Sequence, residues 1–253
     1  SSPKQQHTHA PKVLDPARNQ VSAIDAPVRD TTAPFTNPQT VTVPSPYWGD
    51  ELVWNGQASL HNPMMDERGR VWLTHQIRAP ANPAFCRKGS LHPSPLMFPI
   101  DRNQESRQLS IYEPRSGKFT LIDTCFGTHH LQFDNHGMLW TSGGYEVLGW
   151  FDPGEFAATG DAMQSQGWTP FILDTNGNGI RDEGYVGPNE PVEPGKDTRV
   201  FRASPYGIVT NPVDGSVWVA EPGLPGAILR VAPGSDPSKT ALPERYEPPY
   251  NNP

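Results

Sequence analysis

The hydrophobic positions of this chain come in short runs rather than at helical spacing. VWLT (71–74), LSIY (109–112), FTLI (119–122), HLQF (130–133), VLGWF (147–151), VWVA (217–220) and ILRV (228–231) are separated by turns rich in Gly, Pro, Asn and Asp. Runs of this length, β-branched and aromatic and bounded by such turns, predict strands. Three stretches repeat the pattern: ASLHNPMMDERGRVWLTH (58–75), FGTHHLQFDNHGMLWTSG (126–143) and ASPYGIVTNPVDGSVWVAE (203–221). Each closes its turn with Gly-x-[Val/Leu]-Trp, from Gly69 to Trp72, Gly137 to Trp140 and Gly215 to Trp218. Asp66, Asp134 or Asn211 stands before the turn, and five residues earlier lies His61, His129 or Tyr206.

A short strand, a turn that supplies positive φ and a second strand opening on an aliphatic-Trp pair make a β-hairpin. RQLSIYEP (107–114) with KFTLID (118–123), EVLGWFDPG (146–154) and AILRVAPG (227–234) supply outer strands. Four short antiparallel strands per repeat describe a blade of an all-β β-propeller. Trp72, Trp140 and Trp218 stand 68 and 78 residues apart, against about 40–45 per compact blade. Two insertions, 79–106 and 155–200, account for the excess; the second includes a short helical candidate at GDAMQSQGW (160–168). Residues 1–50 read as an extended N-terminal arm with weak strand signals at 21–24 and 40–43, and residues 51–253 as the blades.

Composition changes this picture little. Hydrophobic residues make up 35% and prolines number 30 among 253 residues, so loops are abundant. A net charge of −7, with no Lys/Arg cluster, argues against nucleic acid as a partner. No apolar run approaches the roughly 20 residues of a membrane helix, so no membrane insertion is expected. The chain begins at Ser without a signal peptide; a removed leader and an internal fragment explain that equally well.

Two motifs carry candidate chemistry. In DTNGNGIRDEG (174–184), Asp174, Asn176 and Asn178 have the alternate-oxygen spacing of a calcium loop. Gly179 permits the sharp turn, Ile180 offers a carbonyl, and Asp182 falls at the ninth position. Position twelve is Tyr185 rather than the bidentate Glu of an EF-hand, so Glu183 or Glu190 contributes only by another loop path. The expected role for Ca2+ is structural, pinning the second insertion; the alternative is an Asx- and Gly-rich turn that needs no ion. Cys86 and Cys125, the only cysteines, fit one disulfide in an oxidising compartment, periplasmic or secreted, or else two buried thiols. No nucleophile elbow, phosphate loop or dinucleotide fingerprint is present.

The Gly-x-[Leu/Val]-Trp hairpins with a preceding His or Tyr resemble propellers of the streptogramin B (virginiamycin B) lyase type. LHNPMMDERGRVWLT, RQLSIYEPRSGKFTLIDTCFGTHHLQF, SQGWTPFILDTNGNGIRDE and YGIVTNPVDGSVW are more closely similar to uncharacterised bacterial exported propeller proteins, often labelled carboxypeptidase-regulatory-like. The resemblance covers about residues 57–250. It implies a portion of a six- or seven-bladed ring, completed by the rest of a longer chain or by a protein partner. It also implies that His61, His129 and Tyr206, opening successive inner strands, sit at a channel mouth with Glu221. In lyases of this type such residues work with Mg2+ or another divalent cation. Their bland reading is polar caps on neighbouring blades. By strand alternation His130 should face away from His129, and His136 belongs to the solvated turn. The first functional expectation is an exported binding or scaffold propeller; the alternative is a metal-assisted lyase or lactone-cleaving enzyme. Propellers host many functions, so the fold does not decide between them.

Overall fold

A computed structural model of the chain describes residues 12–30, 57–143, 146–200, 205–223 and 226–247. The chain divides into two compact units, Ser1–Pro80 with Ser106–Ile122, and Ala81–Glu105 with Asp123–Pro253.

The first unit begins with a hairpin of β1 (Lys12–Asp15) and β2 (Gln20–Ala23). Asp15 Oδ1 closes its turn by accepting the N–H groups of Ala17 and Arg18 at 3.0 and 3.1 Å. The weak strand signal at 21–24 is thus half of a hairpin, while the signal at 40–43 lies outside the described residues. The arm then runs along the blade. The N–H groups of Arg29 and Asp30 reach the Ile77 carbonyl at 2.9 and 3.2 Å, and Asp30 Oδ2 accepts from Ala79 N–H at 3.1 Å. The blade is a four-stranded antiparallel meander of β3 (Pro63–Met65), β4 (Val71–His75), β5 (Gln108–Glu113) and β6 (Lys118–Ile122). Trp72, Leu73, Leu109, Ile111 and Ile122 are its buried apolar residues.

The second unit holds two further meanders. Blade two pairs β7 (Thr128–Phe133), β8 (Leu139–Gly143), β9 (Val147–Phe151) and β10 (Gln166–Pro170). Blade three pairs β14 (Ile208–Thr210), β15 (Val217–Glu221), β16 (Ala227–Ala232) and β17 (Leu242–Tyr246). Between them in sequence, β11 (Ile172–Leu173), β12 (Tyr185–Val186) and β13 (Asp197–Arg199) form a small three-stranded sheet. The fold is therefore all-β and built of propeller-type blades, as the repeat predicts.

The Asp-x-x-Gly-x-[Val/Leu]-Trp motif has a local physical cause. Asp66 Oδ1 accepts the N–H groups of Arg68 and Arg70 at 3.0 and 2.9 Å, and Oδ2 accepts the Trp72 indole N–H at 2.9 Å. In blade two Asp134 repeats this, taking His136 N–H at 2.8 Å, Met138 N–H at 3.0 Å and Trp140 Nε1–H at 2.9 Å. One carboxylate thus orders the turn and satisfies a buried indole donor. Blade three divides the job: Asn211 Oδ1 accepts Val213 N–H, and Ser216 Oγ accepts Trp218 Nε1–H at 2.9 Å. Gly69, Gly137 and Gly215 take φ of 77°, 82° and 70°, the left-handed values each turn needs.

Two expectations change. GDAMQSQGW is not helical: its end forms β10, whose Trp168 is fully buried. The segment 155–200 therefore contains the blade's own outer strand, and the inter-blade insertion begins after Pro170. Helix α2 (Pro153–Thr159) fills the β9–β10 connection instead. Asp152 caps it by accepting from Gly154 and Glu155, Pro153 begins it, and left-handed Gly160 ends it. The connection between β4 and β5 carries a short helix, α1 (Pro93–Met97), capped by His92. Cys86 and Cys125 form a disulfide with Cα atoms 5.4 Å apart, packed with Ile100, Phe126, Val147 and Trp168.

Candidate functional site

The side chains expected at the inner-strand openings gather most closely in the second unit. The rings of His129 and Tyr206 lie 4.7 Å apart, those of His130 and Tyr206 4.8 Å, and those of His129 and His130 4.7 Å. His130 Nδ1 stands 2.7 Å from the Tyr206 carbonyl oxygen. A carbonyl only accepts, so Nδ1 carries the proton and the neutral ring's lone pair sits on Nε2. Ser142 Oγ donates to the same carbonyl. Glu105 Oε2 lies 3.5 Å from His129 Nδ1, an ion pair when the imidazole is protonated.

That both histidines meet Tyr206 corrects the alternation argument. The pairing of β7 with β8 shifts register between Thr128 and His130. A bulge of this kind places an extra residue on one strand and re-aims its side chains, so His130 does not turn away from His129. His136 is exposed in the turn, as expected.

The repeat equivalence behind these positions is visible in the backbone. His61 N–H donates to the Thr74 carbonyl at 3.2 Å, and Tyr206 N–H donates to the Ala220 carbonyl at 2.8 Å. Each acceptor lies two residues after its blade's tryptophan. His61 belongs to the first unit and is exposed. His75, in the same unit, is fully buried with Nδ1 2.8 Å from Ser110 Oγ. Burial depresses its pKa to about 4, against a hydrogen bond from the ring to the Pro27 carbonyl that raises it. Glu221 is 7% exposed and accepts from Arg245 Nε at 3.1 Å. That carboxylate is neutralised within its own blade rather than offered as a base.

Residues 174–183 form a compact polar loop. Asp174 takes the N–H groups of Gly177 at 2.6 Å and Asn178 at 3.2 Å on one oxygen, and of Gly179 at 2.7 Å on the other. These bonds, that from Gly179 foremost, hold its carboxyl below the usual range. Asn176 and Asn178 both direct amide nitrogens at the Asp182 carboxylate, at 2.5 and 3.0 Å. Asp182 N–H in turn donates to Asp197 Oδ2 at 2.9 Å, which ties the loop to β13. The donor set is all oxygen once the two amides rotate, the chemistry a hard cation takes. Ile180 is exposed at the loop's turn, and among the described residues no hydrogen bond joins the Glu183 side chain to the loop.

Sequence reasoning missed Glu105, Ser142 and Arg245. Glu105 sits at the end of the first insertion, 24 positions before His129, and nothing in its local pattern marks it. Arg245 was findable: it falls on the strand after AILRVAPG, within reach of a repeat-equivalent acid.

The four-stranded antiparallel meanders place the chain among propeller-bladed all-β proteins. No family model matches it, and no curated protein matches it. Among solved structures it is similar to selenomethionine-substituted virginiamycin B lyase from Staphylococcus aureus, at 15% identity and a TM-score of 0.39 over 76% of this chain and 42% of that one. It is also similar to a catalytically inactive variant of virginiamycin B lyase from Staphylococcus aureus with quinupristin, at 14% identity and a TM-score of 0.32 over 76% of this chain and 56% of that one. The chain thus spans about half the length of these structures or less.

Proposed function

We propose that this chain is the bladed portion of an exported propeller that binds a ligand at the His129–His130–Tyr206 cluster and acts as a scaffold. The remainder of its ring comes from the rest of a longer chain or from a protein partner. The observation that carries the reading is the cluster itself: three rings with centroids within 4.8 Å of one another, the His130 ring bonded to the Tyr206 carbonyl, the His129 ring beside Glu105, and Tyr206 49% exposed. Half-exposed aromatic rings held rigid suit recognition, since they contribute contact area at little entropic cost. The disulfide supports a periplasmic or secreted location. A structural Ca2+ held by Asp174, Asn176, Asn178, Asp182 and the Ile180 carbonyl, with Glu183 available at the loop exit, is part of the same proposal. The ion replaces the amide–carboxylate bonds of the loop and keeps 171–200 folded against β13.

The second reading, a metal-assisted lyase or lactone-cleaving enzyme, is favoured by the His129–Glu105 pair, a carboxylate placed to orient an imidazole base. Against it stands Glu221, engaged by Arg245. The discriminating experiment incubates the protein with a cyclic depsipeptide antibiotic, with and without Mg2+, and follows ring opening by chromatography. The scaffold reading expects no opened product. Product that needs Mg2+ and disappears in His129→Ala overturns it in favour of the lyase.

A further inference from the structure

The second unit contains a cavity of about 510 Å³, within the range of about 300–1,000 Å³ typical of small-molecule sites. None of His129, His130 and Tyr206 lines it. Three pieces of chain build it. Blade two supplies Trp150 from β9 and Gln166 and Gly167 from β10, and the β4–β5 connection supplies residues 90–94. Asp236 and Ser238 come from the start of helix α3 (Pro237–Thr240) in blade three.

The walls are fixed by bonds to one another. Ser94 Oγ accepts the Trp168 N–H at 2.9 Å, and the His92 ring stacks on Trp168 with centroids 5.5 Å apart and planes 9° from parallel. His92 Nε2 lies 3.0 Å from the Gln166 carbonyl and therefore carries the proton, while Nδ1 accepts the Ser94 N–H at 3.2 Å. Both ring nitrogens are occupied, so His92 offers the cavity a neutral ring. The Gln166 amide is occupied as well, donating to the Asp123 and Ala162 carbonyls and accepting from Cys125 N–H. Gly167 pairs with Trp150 in the ladder, and its bare backbone gives the indole room to lie across it.

The groups left open include both donors and acceptors. Trp72, Trp140, Trp168 and Trp218 each donate their indole N–H to a protein oxygen. Among the described residues the indole N–H of Trp150, which lines the cavity, meets no such oxygen. Ser90 Oγ accepts from His92 N–H at 3.1 Å and keeps its own proton for a partner. On the acceptor side, Gln164 directs its amide nitrogen to Asp161, and among the described residues its carbonyl oxygen is open. Asp236 Oδ1 serves Ser238, while Oδ2 stands 3.1 Å from Lys239 Nζ, which offsets the charge. Leu91 and Met163, 91% and 37% exposed, add apolar surface.

We infer that this cavity binds a neutral polyhydroxylated ring, a mono- or disaccharide. Its C–H faces lie against Leu91, Met163 and His92, and its hydroxyls bond Trp150 Nε1, Ser90, Gln164 and Asp236. A hydroxyl both donates and accepts, as this mixed set requires. An ammonium group cannot accept from the indole, and a carboxylate cannot donate to Asp236. A purely apolar ligand would leave all of these polar groups unpaired, which is costly.

The test follows the indole N–H resonances of the isotope-labelled protein during titration with glucose, galactose, N-acetylglucosamine, maltose and cellobiose. Trp150→Phe assigns the Trp150 resonance by its loss. The expected result is that one or more of these sugars moves that resonance saturably. Asp236→Asn, which still caps α3, should weaken the binding about tenfold or more, the contribution of a bond to a charged group. Trp150→Phe should weaken it too, read by calorimetry, with the other indole resonances in place as evidence of an intact fold. Where Trp150→Phe displaces those resonances, Asp236→Asn alone decides. The inference is overturned when no sugar of the set moves the Trp150 resonance, or when sugar binding is unchanged in Asp236→Asn. Movement by tetramethylammonium or a dipeptide amide but by no sugar overturns it equally.

Discussion

Replacing Asp134 by Ala tests whether the repeated carboxylate holds a blade together. The change removes three acceptor contacts, to His136 N–H, Met138 N–H and Trp140 Nε1–H. They differ in worth. The His136 amide is exposed and rehydrates at little cost. The Met138 amide is partly buried and loses about 0.5–1.5 kcal/mol, the net value of an ordinary hydrogen bond. The indole N–H belongs to a side chain only 3% exposed, where an orphaned donor costs about 1–3 kcal/mol. The expected loss is therefore about 2–4 kcal/mol, large beside the roughly 5–15 kcal/mol that holds a domain. Urea unfolding followed by tryptophan fluorescence measures it. Repeating the substitution in a Trp140→Phe background isolates the indole, because Phe has no donor to orphan; there the cost of Asp134→Ala should fall by about 1–3 kcal/mol. A loss below about 0.5 kcal/mol, within the range of ordinary surface substitutions, or an equal loss in both backgrounds, refutes the reasoning.

Three further outcomes follow from the same geometry. His75 has a folded pKa depressed from 6.5 to about 4 by burial. Its unfolded form binds a proton first as pH falls, so stability present above pH 6.5 drains away toward pH 4, by roughly 3 kcal/mol in total; unfolding free energies at pH 7, 5.5 and 4 check this, and a flat profile contradicts it. Cys86→Ala with Cys125→Ala opens a loop of sequence separation 39 and should cost about 3–4 kcal/mol in the chain-entropy model, read as a lower denaturation midpoint that reductant no longer shifts. Calcium should raise the melting temperature and slow proteolysis within 171–200, and Asp174→Asn with Asp182→Asn should abolish both effects; a calcium response unchanged in that variant removes the loop as its origin.

The hairpins were legible because their cause is local. A carboxylate six residues before a tryptophan can tie the turn amides and the indole at once, so the spacing appears in the sequence as it does in space. Pairing of Cys86 with Cys125 was within reach by counting. The fourth strand of blade two was not legible, because Gln166–Pro170 is separated from β9 by a capped helix, and Gly167 in mid-strand argues against a strand locally. Its glycine has a non-local reason: a Cβ there would lie 2.3 Å from the Trp150 ring. The same holds for Gly149, where a Cβ would meet Phe126 at 2.4 Å. The facing of His130 failed for another reason, since simple alternation does not survive the register shift after Thr128. Glu105 reaches His129 only through the folded insertion, a contact no spacing rule encodes.

The positions that opened the functional question differ in kind from those that define the repeat. Asp66 and Asp134 serve the fold through their side chains, so the carboxylate recurs. His61 and Tyr206 serve it through their backbone N–H groups, each bonded to the carbonyl two residues past a tryptophan. Any residue but proline can make that bond, so the fold leaves the side chain there unspecified. Imidazole and phenol therefore appear at equivalent places without harm to the blade, and what they do is decided by their surroundings. At blade three the repeat-equivalent acid Glu221 is bound to Arg245 and serves the structure. At blade two the register shift brings His130 beside His129, and the Tyr206 carbonyl fixes the His130 tautomer. Substituting His129 or Tyr206 should for that reason alter ligand binding while leaving the unfolding midpoint close to that of the parent. A large stability loss in either variant would return those side chains to a purely structural role.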